Sequence, residues 1–445
     1  MLKRLPSNIF PWFFWGVVIL LHLLFFFLQK NQQNYWLVDS HEYVKEAFNL
    51  LDYGVLYCGD LDGTIRYDFF TKRPPMYPLV LAVVTQLLGS ETTVVGLQMI
   101  LSLLNVFLML RILETLGLTY RYSLSLLFLL LYPAQFMYAQ WIMTEILFQS
   151  CLLVMVGAII FWQERKSQVW IWIYLGALLL GLFTKPVLYL FIFPSAVVLF
   201  LFGWKKWRIS LICAIMIPFL AVGMYMYWNA ERTGYFHFSS IQNLSLLQYT
   251  TFHTIRASQG GEAAETTITF IQETAAQKES FEAEQLYIQE QAVHEIGKVP
   301  LTYLGLHLKG MLNFFLDPGR FDLYNFMGWE NQEEGGWQAT FSEEGYAGLW
   351  KRFSRLPAGR IGLLVAILLG NLLKLIGLGL FLFNGSVPRV YKWILVGMIL
   401  YISGLTGISG ASRFAVPVFP ILLICASLGW SILIDRWKYR KLPLT

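Results

Sequence analysis

Eleven apolar runs divide the 445-residue chain, and ten of them are long enough, or nearly so, to cross the roughly 30 Å hydrocarbon core of a bilayer as helices. They are Phe10–Leu28, Thr92–Leu113, Ser123–Ala139, Ile146–Trp162, Val169–Phe183, Val187–Phe202, Ile209–Trp228, Ile361–Phe383, Trp393–Ile408 and Phe414–Ile434. Only 14% of the residues are charged, against about a quarter in soluble domains, so a water-facing surface cannot be built around these runs. The chain reads as an all-α polytopic membrane protein of about ten transmembrane helices with outer juxtamembrane helices. It divides into a membrane core with a first outer loop at 29–75 (residues 1–228), an extracytoplasmic loop region (229–360) and C-terminal transmembrane helices (361–445). The first run is longer than the apolar part of a signal peptide and no small-residue cleavage site follows it, so it reads as an uncleaved span.

The eleventh run, Met76–Leu88, has 13 residues between Pro74-Pro75 and Gly89, a length that suits an interfacial or re-entrant helix. With that run not spanning and the N-terminus in the cytoplasm, the inner loops hold 15 Lys and Arg against 3 Asp and Glu. That is the positive-inside pattern, and it puts both termini in the cytoplasm. It also explains the net charge of +5, which sits in short loops and is no nucleic-acid signal. The long segments 29–75 and 229–360 then lie outside. In the second, Phe281, Leu286, Ile288, Val293 and Ile296 recur at helical spacing from about Thr267 onward. Leu301, Leu304, Leu308 and Leu312 continue the period after Pro300 and predict an amphipathic helix lying on the membrane. The Gly-rich pieces at Gly260-Gly261 and Gly335-Gly336 read as mobile.

Against this topology, the polar residues near the outer face carry the chemistry. Asp39 opens a helical pattern in VDSHEYVKEAFNLLDYG, where a carboxylate is either a helix cap or a reactive group. Lys72 and Arg73 stand before the double proline, placed to meet a phosphate head group or lipid phosphates in general. Glu145, in QWIMTEILFQS, either faces a protein cavity or sits in the first turn of a helix capped by Thr144. Lys185 and Arg413 lie in outer turns too short to reach far into water, against the inside bias, and a phosphate partner would explain both. Lys374 falls mid-span and faces the bundle interior, and His22 in the first span reads as a packed histidine. His41, His237 and His253 lie outside without metal-ligand spacing. The four cysteines show neither CxxC nor metal spacing, and Cys58 has no evident disulfide partner.

In order along the chain, Asp39, Tyr43, Ala47 and Gly54, then RPPMYPLVLA, TEILF, TKP and SRFAVPVFP, resemble the protein O-mannosyltransferase-like, or aminoarabinose transferase-like, members of the GT-C glycosyltransferases. The resemblance implies a polyprenyl-phosphate sugar as donor and an acceptor hydroxyl on a glycan, lipid or protein. It also implies a site on the outer face of a bacterial cytoplasmic membrane. Asp39 and Glu145 would be the acidic catalytic positions. Lys72, Arg73, Lys185 and Arg413 would hold the lipid phosphate, and Tyr43 and Tyr77 would line a donor or acceptor pocket. The family often pairs two acidic residues at the first position, where this chain has Asp39-Ser40. No cofactor is required by the sequence, and a divalent metal stays open. A flippase for lipid-linked sugars, or an O-antigen polymerase or ligase, are the rival readings; the first calls for inverted repeats and midplane charges. The topology gives a direct expectation: a cysteine introduced at Trp204 stays unlabelled by an impermeant reagent from outside, and one in the 229–360 loop is labelled. The opposite labelling would overturn the ten-span orientation.

Overall fold

The structure is a computed structural model that describes residues 9–203, 208–329 and 357–439. Every regular element among them is helical. The membrane-facing half runs α1 (Ile9–Gln32), α2 (Val38–Tyr53), α3 (Met76–Leu88), α4 (Val94–Thr115), α5 (Arg121–Leu130), α6 (Ala134–Tyr138), α7 (Glu145–Arg165), α8 (Val169–Leu182), α9 (Ile192–Gly203) and α10 (Arg208–Thr233). A run of further helices follows: α11 (Ile241–Ser245), α12 (Phe252–Gln259), α13 (Gly261–Ala275), α14 (Phe281–Lys298), α15 (Pro300–Leu316) and α16 (Arg320–Phe326). The chain then returns through α17 (Ala358–Leu382), α18 (Arg389–Thr406), the single turn α19 (Ser412–Ala415) and α20 (Phe419–Tyr439).

Among the described residues, seven helices are long and apolar enough to cross a membrane: those built on α1, α4, α7, α10, α17, α18 and α20. The protein is therefore a multi-pass membrane protein. Three of the ten expected runs fall on shorter apolar helices, and one of these departs from expectation outright. The Ser123–Ala139 run is two pieces, α5 and α6, because Pro133 has no N–H to donate and disfavours helical backbone at Tyr132. At Gly260-Gly261, where mobility was expected, α12 passes into α13 with Gly260 at φ +98°; Gly335-Gly336 lies outside the described residues.

At the centre of the bundle is α7, most of its surface covered, with α4 and α8 packed along it. Amides and a hydroxyl buried in this apolar core must pair with one another. Gln149 of α7 donates to Gln135 Oε1 at 2.9 Å and to the Val416 carbonyl at 2.6 Å, and its own oxygen accepts from Asn105 at 2.9 Å. Gln135 donates to Ser102, which also meets His22 Nε2 at 2.8 Å. His22 is thus a satisfied core residue, as the sequence indicated. Lys374 does face the bundle interior: its ammonium lies 3.9 Å from the centre of the Tyr132 ring and 4.9 Å from that of Phe419, a cation–π arrangement.

Leu301, Leu304, Leu308 and Leu312 form an exposed apolar stripe on α15. The opposite side of α15 presses directly on the turn after α18. A Cβ on Gly310 would overlap the Gly407 carbonyl, and one on Gly410 would overlap the Gly310 carbonyl. The polar network gives a stability expectation: Gln149→Leu leaves Gln135 Oε1 without a partner and takes one hydrogen bond each from Asn105 and the Val416 carbonyl, and lowers stability by on the order of 2 kcal/mol. Thermal denaturation of the purified protein in detergent measures it; a midpoint equal to wild type would mean the network contributes nothing.

Candidate active site at one end of the helix bundle

The first turn of α2 carries Asp39, but not as a cap. The helix is entered through Leu37, whose N–H donates to the Ser40 hydroxyl at 2.9 Å, so Ser40 meets the local backbone need. The Asp39 carboxylate is free to turn inward, where one oxygen accepts from Arg73 Nη2 at 2.7 Å and the other from Arg413 Nη2. Each guanidinium reaches a second carboxylate. Arg73 Nε donates to Glu42 at 2.6 Å, and Arg413 Nε donates to Glu145 at 2.8 Å. Two lysines close the ends: Lys72 Nζ meets Glu42 at 2.5 Å and Lys185 Nζ meets Glu145 at 3.0 Å.

The result is one alternating row, Lys72–Glu42–Arg73–Asp39–Arg413–Glu145–Lys185, with four cations and three carboxylates. Local sequence explains how it assembles. Asp39 and Glu42 are three residues apart and share a face of α2. Pro74-Pro75 ends the approach to α3 and fixes the preceding Arg73 close by. Glu145 is the first residue of α7, and Lys185 precedes Pro186. Arg413 lies in α19, where Pro417 interrupts the helix before α20. The Glu145 side chain is fully buried; those of Asp39, Glu42 and Arg413 keep about a quarter of their surface. Burial alone raises the Asp39 carboxyl, and the Arg413 and Arg73 guanidiniums overcome it, holding the group well below the ordinary carboxylate range.

Tyr43 and Tyr77 form the floor of this row. The Arg73 guanidinium lies 4.9 Å from the centre of the Tyr43 ring, Tyr77 meets Tyr43 edge-on at 5.1 Å, and the Tyr77 hydroxyl donates to Gln98 at 2.7 Å. His41, His237 and His253 each have separate partners: His41 stacks on Trp36, His237 bonds Thr71 and the Tyr235 carbonyl, and His253 packs on Phe252. Among the described residues, no group of three or more His, Cys, Asp or Glu is gathered closely enough to hold a metal ion.

No family model matches the chain, and no curated protein matches it. Among solved structures, the crystal structure of ArnT from Cupriavidus metallidurans bound to undecaprenyl phosphate aligns with a TM-score of 0.40 and 14% identity, over 98% of this chain and 81% of that one. A likeness this loose carries no residue roles from that protein to this one.

Sequence reasoning placed six members of the row and missed Glu42, whose only signal was its three-residue offset from Asp39. It also missed Asp317 and Asp322, which hold the residue before Arg413. Asp317 accepts from the Ser412 N–H at 2.9 Å and Asp322 accepts from the Ser412 hydroxyl at 2.8 Å. Glu46, one turn beyond Glu42 on α2, is buried, and burial pushes its carboxyl well up. Lys185 and Arg413, for which a phosphate partner had been expected, find protein carboxylates in the structure.

Burial also pushes the Asp322 carboxyl up, to about 6; Asp317 adds to this, and the hydrogen bond from Ser412, the neighbouring Tyr138 hydroxyl and the nearby Arg413 oppose it. A raised acid binds its proton more tightly in the folded state. Its contribution is therefore fully present below the unfolded-state value and is lost as the pH rises through about 6. A rise of this size corresponds to roughly 3 kcal/mol. Asp322→Asn keeps an oxygen for Ser412 and has nothing to ionise, so its thermal midpoint relative to wild type should improve between pH 4 and pH 7. A constant difference across that range would show that Asp322 does not titrate in this way.

Proposed function

We propose that the protein is a glycosyltransferase that moves a sugar from a polyprenyl phosphate to an acceptor hydroxyl at the outer face of a bacterial cytoplasmic membrane. The observation that carries the reading is the alternating row of charges. It gathers four cations from three separate segments at one end of the helix bundle and leaves one positive charge uncompensated. A membrane-boundary cluster of that sign, with two guanidinium forks at its centre, suits a lipid phosphate.

The arrangement also suggests the order of events. With both oxygens held by guanidiniums, Asp39 is a poor base. A phosphate entering between Arg73 and Arg413 competes for the same N–H donors and releases the carboxylate. Asp39 then takes the proton of the acceptor hydroxyl as its oxygen bonds the anomeric carbon. The bond from that carbon to the phosphate oxygen breaks, and its electron pair leaves with the polyprenyl phosphate. Arg73, Arg413, Lys72 and Lys185 stabilise the charge that develops there. A single displacement of this kind inverts the anomeric configuration. Glu145 keeps Arg413 and Lys185 in place, and its second oxygen is left for the substrate.

A flippase is less well supported. The charged residues collect at one end of the bundle, and Lys374, the mid-span cation, is engaged with the Tyr132 and Phe419 rings. The deciding variants are Asp39→Asn and Arg73→Ala. Asp39→Asn should fold and bind polyprenyl phosphate, yet transfer sugar at least about a hundredfold more slowly. Arg73→Ala should weaken polyprenyl-phosphate binding more than Arg73→Lys does, because lysine keeps the charge without the fork. Near-normal transfer by Asp39→Asn would remove it as the base and move that role to Glu145; normal donor binding by Arg73→Ala would end the phosphate reading.

A further inference from the structure

The stretch between α6 and α7 holds an unusual concentration of unmade hydrogen bonds. Gln140, Trp141, Thr144 and Glu145 are all fully buried. Both polar atoms of the Gln140 amide, the Trp141 indole Nε1, the Thr144 hydroxyl and Glu145 Oε2 have no hydrogen-bond partner among the described residues. The segment itself is firmly held. Gln98 donates to the Trp141 carbonyl at 2.6 Å, and the Ile142 N–H donates to the Tyr35 carbonyl at 3.0 Å. Thr144 occupies the position from which its hydroxyl could cap α7, and it does not do so. Glu145 is fixed from its other side, where Oε1 accepts from both Arg413 and Lys185.

Each buried polar atom left unpaired costs about 1–3 kcal/mol, and such atoms are few in native proteins. Five within six residues, beginning at the row of charges, call for a partner that arrives from outside. Its chemistry is constrained by the atoms present. Gln140 Oε1 and Glu145 Oε2 accept, Gln140 Nε2 and Trp141 Nε1 donate, and the Thr144 hydroxyl does both. A phosphate oxygen cannot donate to the two acceptors, and an apolar chain would satisfy none of the five. A ring bearing several hydroxyls, each both donor and acceptor, matches the set.

We infer that Gln140, Trp141, Thr144 and Glu145 Oε2 form the subsite that grips the hydroxyls of the transferred sugar, an assignment that rests on the transferase reading above. Binding energy is thereby held back from the resting protein and realised only with the glycosylated donor. Polyprenyl phosphate alone, lacking the ring, does not engage these atoms.

The test uses the full chain in detergent, with Gln140→Leu, Thr144→Val and the double variant. Replacing unpaired polar groups by apolar ones of similar shape should leave the melting temperature equal to or above that of wild type. Affinity for undecaprenyl phosphate should stay within twofold, while transfer should fall by roughly tenfold or more for each lost hydrogen bond. The donor is whichever of a panel of polyprenyl-phosphate hexoses and pentoses the wild type uses. A melting temperature lowered by several degrees would mean these atoms are already satisfied in the resting protein, and would overturn the assignment. So would weakened binding of undecaprenyl phosphate, or transfer at the wild-type rate. If the wild type uses no donor in the panel, the transferase reading falls and takes the subsite with it. If it does and the variants match it, the subsite alone falls.

Discussion

The row from Lys72 to Lys185 is the constraint on which the outer half of the molecule depends. Charges near a membrane core are costly unless each meets its opposite, and here none of the seven is complete alone. Without Asp39, Arg413 would keep only Glu145 and Arg73 only Glu42, and Glu145 without Lys185 and Arg413 would be a bare carboxylate in a dry site. The row links residues 374 positions apart, from the first turn of α2 to the turn before α20. It thereby fixes the neighbouring ends of α2, α3, α7, α8 and α20 relative to one another.

Such a row must stand on a rigid base, and the helix interruptions supply one. Pro133 divides the expected third span, which lets Gln135 point to Gln149 and Tyr132 lie over Lys374. Gln149 in turn holds the Val416 carbonyl, three residues beyond Arg413. From the outer side, α15 rests its Gly310 backbone on the Gly407–Gly410 turn, and Asp317 and Asp322 hold Ser412. Arg413 is thus fixed from below by an amide and from above by two carboxylates. The same helix carries a leucine stripe on its exposed side, so the element that aims Arg413 also presents an apolar face to its surroundings.

How much of this was legible followed from the kind of signal each residue gives. Lys185 and Arg413 stood out because cations in short outer turns break the charge bias of loops, and Arg73 stood out through its double proline. Asp39 was visible but ambiguous, since a carboxylate at a helix start is also an ordinary cap; only the structure shows Ser40 meeting the backbone and Asp39 turned to the arginines. Glu42 looked like any glutamate on a helix surface. Asp317 and Asp322 lay in a loop rich in acidic residues, with no periodicity to separate them. The break at Pro133 could have been read from the proline, and the continuous hydrophobicity around it hid it. Unmade hydrogen bonds, such as those at Gln140 and Thr144, leave no trace in sequence, because they are defined by what the fold fails to place nearby.

Within the row, Asp39 differs from the other two carboxylates, and the difference bears on how such a cluster can be both stable and reactive. Glu42 and Glu145 each hold a lysine at an end of the row, so each would keep a cation if a guanidinium moved away. Asp39 is held by guanidiniums alone, one on each oxygen. An anion that claims Arg73 and Arg413 therefore displaces Asp39 and leaves the flanking pairs standing. Competition of this sort needs the incoming group to match the fork geometry that a carboxylate already uses, which phosphate does. It also needs the displaced carboxylate to stay tolerable, which the partial exposure of Asp39 permits. A fully buried aspartate at this position would resist release, and a fully exposed one would not have been held in check.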